Sequence, residues 1–405
     1  MSSLVPGGLS SPSFQSSQQS TQQGVGKAVY LITNDEKTNA VVALPIGADG
    51  KLSLGTVTLT GGAGSVALNS DKQPATPDAL VSQSALSIAG NAIFAVNAGS
   101  NTLSMLSISA ADPTKLSLVG RPVPVPGEFT TTVAASAKHN IVCVGATGAK
   151  AGIACSRFSP CGLGPMDALR PFDLGQTTPP VGPTNTVSQV FFSSDESMLF
   201  ATIKGDPATN KTGFFSAFPV QRARHSSRGL VSVSRMEQRS SPNNTAVLFG
   251  SQPIPGTPNR VFATDASFGA AVLSIDPATG RASTVATGKI AGQKATCWAT
   301  ISPATGTAFV TDVAVNRLVE LDVRDARVLS ELDLAAAGSP DPGLIDLRAA
   351  GNFIYALSPG NGTTEAAVSV VSVENGRTGQ AKMVQRFGLG SMGVGRNAMG
   401  MAVLI

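Results

Sequence analysis

The sequence predicts an all-β protein, a single seven-bladed β-propeller domain. Three observations predict this fold: the composition, a strand motif that recurs along the chain, and an unpaired strand at the C-terminus. The 405 residues include 43 Gly and 26 Pro, and only 13% are charged, against about 25% in ordinary soluble domains. Many Gly and Pro among apolar residues are typical of short strands joined by tight turns.

The recurring motif is a short apolar strand that ends in a small or polar residue. Successive copies begin about 45–65 residues apart, a spacing that suits four-stranded blades with loop insertions. Each copy precedes a polar turn and a second apolar strand, which is the pattern of a hairpin. No long segment keeps the 3.6-residue apolar period of a helix. The seven copies are residues 29–34, 93–98, 141–146, 199–204, 261–266, 308–313 and 353–358.

The two ends of the chain complete this organisation. Residues 397–405 form one more apolar strand with no partner behind it, and pairing it beside residues 28–34 would finish the first blade and close the ring. We therefore assign residues 27–405 to the propeller. Residues 1–26, rich in Ser, Gln and Gly and without charge, are predicted to be a disordered N-terminal segment, and the basic, Ser-rich residues 222–245 are also predicted to lack fixed structure.

Charge and hydropathy exclude several partners. The net charge is only +4, and Lys and Arg form no run of five, so a nucleic-acid partner is not expected. No stretch of about 20 apolar residues is present, so no membrane span is expected. We expect a monomer with a small-molecule substrate or ligand.

The cysteines bear on redox compartment and metal binding. Cys155 and Cys161 lie close together in a Gly/Pro-rich loop, which predicts a disulfide and an oxidising compartment. Cys143 and Cys297 lie in apolar strand patterns, where buried free thiols are expected. No Cys/His spacing resembles a metal site, so neither a metal nor another cofactor is expected.

Localisation is expected to be secreted, with a cytoplasmic location as the alternative. Residues 1–26 have neither the charged start nor the apolar block of a signal peptide, so we expect any signal peptide to be absent from this sequence. Sequons at Asn210, Asn243 and Asn361 stand beside turn residues, as in a secreted glycoprotein; the alternative is chance, because a chain this rich in Ser and Thr contains about as many by composition alone.

One segment resembles a known family. Residues 80–106, LVSQSALSIAGNAIFAVNAGSNTLSML, resemble a blade of the seven-bladed propeller family that contains bacterial phosphogluconolactonases and fungal carboxymuconate cyclases. Weaker similarity occurs at residues 41–52 and 178–195, and the resemblance spans residues 27–405. It is strongest to the fungal extracellular carboxymuconate cyclase-like branch. It implies a propeller whose channel mouth acts on a lactone or carboxylated substrate without a cofactor.

The sequence departs from that family at one functional motif. The lactonases carry a Gly-Pro-(Arg/His)-His segment whose His is a proposed general acid or base. Here the corresponding residues 182–186 read Gly-Pro-Thr-Asn-Thr, so the imidazole is missing. The two histidines of the chain, His139 and His225, lie in predicted loops and are expected to be solvated.

Candidate catalytic residues follow from the strand ends that should surround the channel mouth. Lys204, Asp265 and Asp312 each end a repeated strand. A cation there would stabilise developing negative charge, and a carboxylate with a raised pKa would move the proton. The alternative is that each Asp caps a turn and that Lys204 is solvated. Further residues are candidates for substrate binding or, alternatively, for hydrogen bonding between blades: Gln83, Asn97, Arg170, Asn185, Gln189 and Arg260.

Two hypotheses on function remain open at this point. The first is a lactonase or muconate cycloisomerase-like enzyme that needs no cofactor. The second is a non-catalytic secreted propeller that uses the same face as a ligand-binding or cell-surface interaction protein. The missing imidazole favours the second hypothesis, and the long Pro-rich loop over residues 147–186 favours a ligand of some kind.

Overall fold

The computed structural model describes Met1 and residues 27–222, 230–373 and 376–405. Within these ranges 31 strands, numbered β1 to β31 in chain order, form seven antiparallel sheets, and no α-helix occurs. The predicted all-β, seven-bladed propeller is confirmed. None of the described segments forms a helix suited to crossing a membrane. The disordered segment predicted at 1–26 and the loop position of His225 fall almost wholly outside the described residues and stay predictions.

The strands are best described by their place in each blade, from the channel outward. The innermost strands are β31 (Met399–Leu404), β4 (Leu86–Ala89), β9 (Thr130–Ser136), β14 (Val187–Phe192), β19 (Leu248–Pro253), β23 (Thr296–Ile301) and β27 (Ile345–Ala350). The second strands are β1 (Ala28–Ile32), β5 (Ala92–Asn97), β10 (Ile141–Ala146), β15 (Met198–Ile203), β20 (Arg260–Asp265), β24 (Ala308–Asp312) and β28 (Phe353–Ser358).

The third and outer strands complete the blades. The third strands are β2 (Ala40–Pro45), β6 (Thr102–Ile108), β11 (Gly152–Ser159), β16 (Phe214–Arg222), β21 (Gly269–Ile275), β25 (Val315–Leu321) and β29 (Ala367–Ser372). The outer strands are β3 (Thr56–Leu59), β7 (Leu116–Leu118), β8 (Val123–Pro124), β12 (Gly162–Leu163), β13 (Arg170–Pro171), β17 (Val231–Val233), β18 (Gln238–Ser240), β22 (Ala282–Lys289), β26 (Val328–Asp333) and β30 (Lys382–Gly388).

Blade 1 joins the two ends of the described chain. The C-terminal strand β31 pairs antiparallel with β1, with Ala28 opposite Leu404 and Val29 opposite Val403. Around the channel each innermost strand contacts the next, from β31 through β4, β9, β14, β19, β23 and β27 back to β31. Such a ring leaves no innermost strand with an uncovered edge.

The repeated motif of the sequence corresponds to the second strand of every blade. Strands β5, β10 and β28 are buried along their whole length, because neighbouring blades cover both faces of each sheet. This explains why the motif is a continuous apolar run instead of an alternating one. The outer strand β22 instead alternates exposed with less exposed residues along most of its length, as expected where one face meets water.

The disulfide prediction is wrong. Cys155 is bonded to Cys143, while Cys161 is an exposed free thiol. Cys143 and Cys155 are directly opposed on β10 and β11 with Cα atoms 4.0 Å apart, whereas Cys161 lies in the turn that follows β11. The prediction was based on the short separation of Cys155 and Cys161 along the chain. The partner is instead Cys143, because strand pairing places it directly opposite Cys155. Of the two buried free thiols predicted, Cys297 is confirmed, and Cys143 is wrong because it is disulfide-bonded.

The prediction of an unstructured segment over residues 222–245 is also wrong in its described part. Strands β17 and β18 lie in it, and both pair with β16. Val233 on β17 is buried against the blade. Main-chain pairing to an existing sheet orders a segment that has few apolar side chains of its own.

The disulfide should contribute to stability because it closes a loop in the unfolded chain. Cys143→Ser is expected to lower the free energy of unfolding by about 2–4 kcal/mol, measured by denaturant titration under non-reducing conditions. Cys161→Ser is the matched control and should leave stability unchanged. Peptide mapping that joined Cys155 to Cys161 would contradict the pairing.

Candidate active site at the channel mouth

A pocket of about 380 Å³ lies on the face where the second strands end. Its walls come from residues just after β15, β20 and β24, from the starts of β19 and β23, and from the loop that precedes β4. Most of the wall is apolar. Its titratable side chains are Asp78, Lys204 and Cys297, and Phe249 lies beside them.

Lys204 follows the last residue of β15 and points into the fold. Only 2% of it is exposed, although a lysine at a strand end normally extends its ammonium group into water. Its Nζ donates a hydrogen bond to the carbonyl oxygen of Val81 and lies 4.1 Å from the centroid of the Phe249 ring. Burial lowers the pKa of Lys204 to about 8, against the opposing influence of Asp78 and Cys297.

Asp78 is the carboxyl group of the pocket. Burial raises the pKa of Asp78 to about 7, although Lys204 and hydrogen bonds from the Val81 and Ser82 amides act in the opposite direction. Its Oδ1 is buried and has no hydrogen-bond partner. A carboxyl group with a free oxygen and a pKa near neutrality is suited to proton transfer.

Sequence analysis missed Asp78, although one signal was present. Asp78 is the single charged residue between Lys72 and Asp112, and an isolated acid in such a segment is a candidate for burial. It lies in a loop rather than at a strand end, so the strand-based search passed over it. Only the packing of this loop against blades 4 to 6 brings it near Lys204.

The loop holding Asp78 has an unusual backbone. Val81 and Ser84 have φ values of 49° and 67°, and left-handed backbone is particularly unfavourable for a β-branched residue. Ser82 Oγ donates to the Thr131 carbonyl at 2.8 Å, and the Ser82 carbonyl accepts from Trp298 Nε1 at 3.0 Å. These bonds to blades 3 and 6 hold the conformation that directs the Val81 carbonyl to Lys204. Strained backbone of this kind is concentrated at functional sites.

The two predicted catalytic carboxylates have different surroundings. Asp265 accepts hydrogen bonds from the amides of Ala246 and Val247, and Asp312 accepts them from the amides of Lys294 and Ala295. Each thereby ties the end of a second strand to the loop that leads into its blade. Their neighbours Ala266 and Val313 line the pocket, and the two carboxylates do not. The contacts match the turn-capping alternative, and a catalytic role for either stays a prediction.

Gln83 and Gln189 lie in the channel and join blades. Gln83 Nε2 donates to the Ala299 carbonyl at 2.9 Å and to Asp346 Oδ1 at 3.2 Å. Gln189 Nε2 donates to Ser84 Oγ at 3.2 Å, and its Oε1 accepts from the Ser251 amide at 2.6 Å. The side-chain amides of Gln83 and Gln189 therefore mainly form hydrogen bonds that connect the blades.

The other predicted binding residues do not line this pocket. Asn97 is buried and bonds to side chains of blades 1 and 2. Arg170 pairs with Asp167 and donates to carbonyls of blade 4. Asn185 donates to an Asp206 oxygen at 3.3 Å. Arg260 begins β20, at the end opposite Asp265, and lines a separate groove of about 510 Å³.

Solved structures show a clear likeness in fold. The chain is similar to the periplasmic gluconolactonase of Pseudomonas aeruginosa, with 14% identity, a TM-score of 0.62, and coverage of 93% of this chain and 99% of that one. It is also similar to a putative 6-phosphogluconolactonase of Bacteroides fragilis, with 10% identity, a TM-score of 0.60, and coverage of 96% and 100%. The chain has the fold of lactonase-type propellers. The sequence matches no protein-family model and no curated protein.

The segment that departs from the lactonase motif lies at this same pocket. Pro183 and Thr184 form part of its wall, and Asn185, which stands where the resemblance implies the imidazole, follows directly after them. His139 lies in the turn between β9 and β10, as predicted, where its amide donates to Ser136 Oγ at 3.0 Å. The likeness in fold does not test the fungal carboxymuconate cyclase branch, which stays a prediction.

The raised pKa of Asp78 should make stability depend on pH. The folded pKa is about 7 against an ordinary value of 3.8, so between these values the folded state holds a proton that the unfolded state has released. This contribution to stability is lost as the pH rises to 7. The free energy of unfolding of Asp78→Asn should therefore increase relative to that of the wild type as the pH rises from about 4 to 7, by on the order of 1 kcal/mol per pH unit.

Thermal or denaturant unfolding at several pH values measures this difference. Asp71→Asn is the matched control, because Asp71 is an exposed carboxyl group in the same connection between β3 and β4. A stability difference between Asp78→Asn and the wild type that stayed constant from pH 4 to 7 would contradict an Asp78 carboxyl group that keeps its proton in the folded state.

Proposed function

We propose that the protein hydrolyses a small lactone at the channel mouth, with Lys204 and Asp78 as the catalytic residues. The observation that carries the proposal is that a buried cation and a half-buried carboxyl group, whose Oδ1 is buried and unpartnered, share one pocket. The likeness to lactonase-type propellers supports the substrate class.

The reaction needs one cation and one base. Asp78 in its ionised form takes a proton from water as the water oxygen attacks the lactone carbonyl carbon. The carbonyl electron pair moves to oxygen, and the Lys204 ammonium group stabilises that oxyanion. The carbonyl then re-forms, the ring C–O bond breaks, and Asp78 returns the proton to the departing ring oxygen. The product is a hydroxy acid, and no cofactor is consumed.

The pocket suits an uncharged, compact substrate. Its volume of about 380 Å³ is near the lower end of the range of about 300–1,000 Å³ for ligand sites. Apolar side chains such as Phe249 and Val247 form most of the wall around the two polar groups, and charge stabilisation is stronger in apolar surroundings.

The pH dependence of turnover should be narrow. Hydrolysis needs ionised Asp78, with a pKa of about 7, and protonated Lys204, with a pKa of about 8. The rate constant should therefore rise as Asp78 ionises, peak between these two values, and fall as Lys204 loses its proton. Initial rates in a buffer series measure the profile, and a rate that kept rising above pH 9 would contradict the role of Lys204.

Substitutions of the two groups should affect catalysis strongly. Lys204→Met should lower turnover by on the order of 10²-fold or more, and Asp78→Asn by about 10²–10⁴-fold. Titration of released acid with sugar lactones and simple six-membered lactones measures the rates. Lys211→Met and Asp71→Asn, which change exposed residues, are the controls. Unchanged turnover in a folded Lys204→Met variant would contradict the assignment.

The muconate cycloisomerase-like reaction is tested in the same screen. Ring closure of a carboxymuconate adds a carboxylate oxygen to a double bond, and Asp78 would then supply a proton to carbon. The decrease in ultraviolet absorbance of the conjugated diene follows this reaction. Turnover of muconates without turnover of lactones would replace hydrolysis by cycloisomerisation at the same residues.

The second candidate function is ligand binding without catalysis. It is favoured by Asn185, which stands where the lactonase motif has its imidazole. Calorimetric binding of a lactone or hydroxy acid, with no turnover of either, would support it. Secretion is part of both proposals, and the Cys143–Cys155 disulfide supports maturation in an oxidising compartment.

A further inference from the structure

We propose that Lys204 has a second reactivity, in which its neutral amine condenses with a small, uncharged aldehyde or ketone in the pocket to form an imine. The proposal uses the pocket described above but does not depend on lactone hydrolysis. It rests on how Lys204 Nζ is held, on the groups around it, and on the character of the pocket wall.

The amine is positioned for attack on a carbonyl carbon. Its hydrogen bond to the Val81 carbonyl uses one N–H and fixes the direction of the nitrogen. Among the described residues, no carboxylate forms an ion pair with Nζ within 4.0 Å, so no salt bridge locks it as an ammonium ion. A neutral amine can keep the bond to Val81 and still present its lone pair to the pocket.

Burial makes the neutral amine accessible near physiological pH. The pKa of Lys204 is about 8 instead of 10.5, and desolvation of this kind is how lysines become nucleophiles in imine-forming enzymes. Every other lysine of the chain is exposed. Lys204 is therefore distinguished from all of them by its surroundings.

Two titratable groups face Lys204 in the pocket. Asp78 comes from the loop before β4, and Cys297 comes from β23. Burial raises the pKa of the Cys297 thiol, and the negative charge of Asp78 adds to this. Cys297 therefore stays a neutral thiol and does not compete as a thiolate nucleophile.

The condensation balances with Asp78 as the proton carrier. The nitrogen lone pair forms a bond to the carbonyl carbon, and the carbonyl oxygen takes the proton of neutral Asp78. The nitrogen then loses a proton to Asp78, which passes it to the hydroxyl group so that water leaves as the C=N bond forms. The iminium nitrogen gives its remaining proton to Asp78, which regenerates the neutral acid. The sum is amine plus carbonyl compound giving imine plus water. Nothing is oxidised or reduced.

Reductive trapping tests this directly with butanal as the probe. The intact wild-type chain is incubated with a low concentration of butanal and cyanoborohydride near pH 7, and butylated lysines are mapped by mass spectrometry. Because the neutral fraction at a pKa of about 8 far exceeds that of an ordinary lysine, Lys204 should be labelled at least about tenfold faster than Lys211. Equal labelling of the two lysines would overturn the proposal.

Variants separate imine chemistry from general lysine reactivity. Lys204→Arg keeps a cation but cannot form an imine. Rapid butylation at residue 204 should therefore be lost in this variant. Lys211→Met should still be labelled at residue 204 at the wild-type rate. Asp78→Asn should slow labelling at Lys204 by about tenfold or more, because proton transfer is lost. A fast label that persisted in Lys204→Arg would overturn the assignment to Lys204.

The pH dependence of the labelling rate distinguishes a reactive Lys204 from a lysine with a purely structural role. Labelling at Lys204 should rise with pH as the amine loses its proton and fall again as Asp78, the proton donor, ionises, so that it is greatest between about pH 7 and pH 8. A plateau near pH 10 to 11, as for an exposed lysine, would overturn the proposal. If Lys204 is trapped by butanal but the protein hydrolyses no lactone, imine formation is supported and the proposed hydrolysis is contradicted. If the protein hydrolyses lactones but Lys204 is not trapped, hydrolysis is supported and imine formation is contradicted.

Discussion

Ring closure is the constraint on which the rest of this structure depends. Pairing of β31 with β1 joins the two ends of the described chain, and each innermost strand contacts the next around the channel. Every blade is then covered on both faces by its neighbours. This is why the second strands are continuous apolar runs and why their ends, including Lys204, collect on one face. A chemical site on that face follows from the arrangement of the blades.

The site itself depends on one loop that is not part of the repeat. Residues 78–84 cross the channel mouth, and hydrogen bonds of Ser82 and Gln83 hold them to blades 3, 4, 6 and 7. This loop buries Lys204, supplies the Val81 carbonyl to its amine, and adds the carboxyl group of Asp78. Removing water from a cation and a carboxyl group moves their pKa values toward each other, to about 8 and about 7. Both groups can then exchange protons near neutral pH.

The two catalytic proposals draw on different protonation states of the same lysine. As an ammonium ion, Lys204 stabilises an oxyanion, and as a neutral amine it attacks a carbonyl carbon. Burial makes both states accessible within a narrow pH range. Phe249 favours the cation through its ring face, and the absence of an ion pair among the described residues leaves the neutral form within reach.

The sequence by itself determined the strands and their repetition, because the apolar runs and the turns that bound them are local. It also placed Lys204 at the end of a strand on the correct face. Tertiary structure alone decided which groups meet there. Strand register selected Cys143 as the partner of Cys155, amide contacts occupied Asp265 and Asp312, and packing of a loop brought Asp78 to Lys204. Contacts between distant segments depend on packing that no local pattern records.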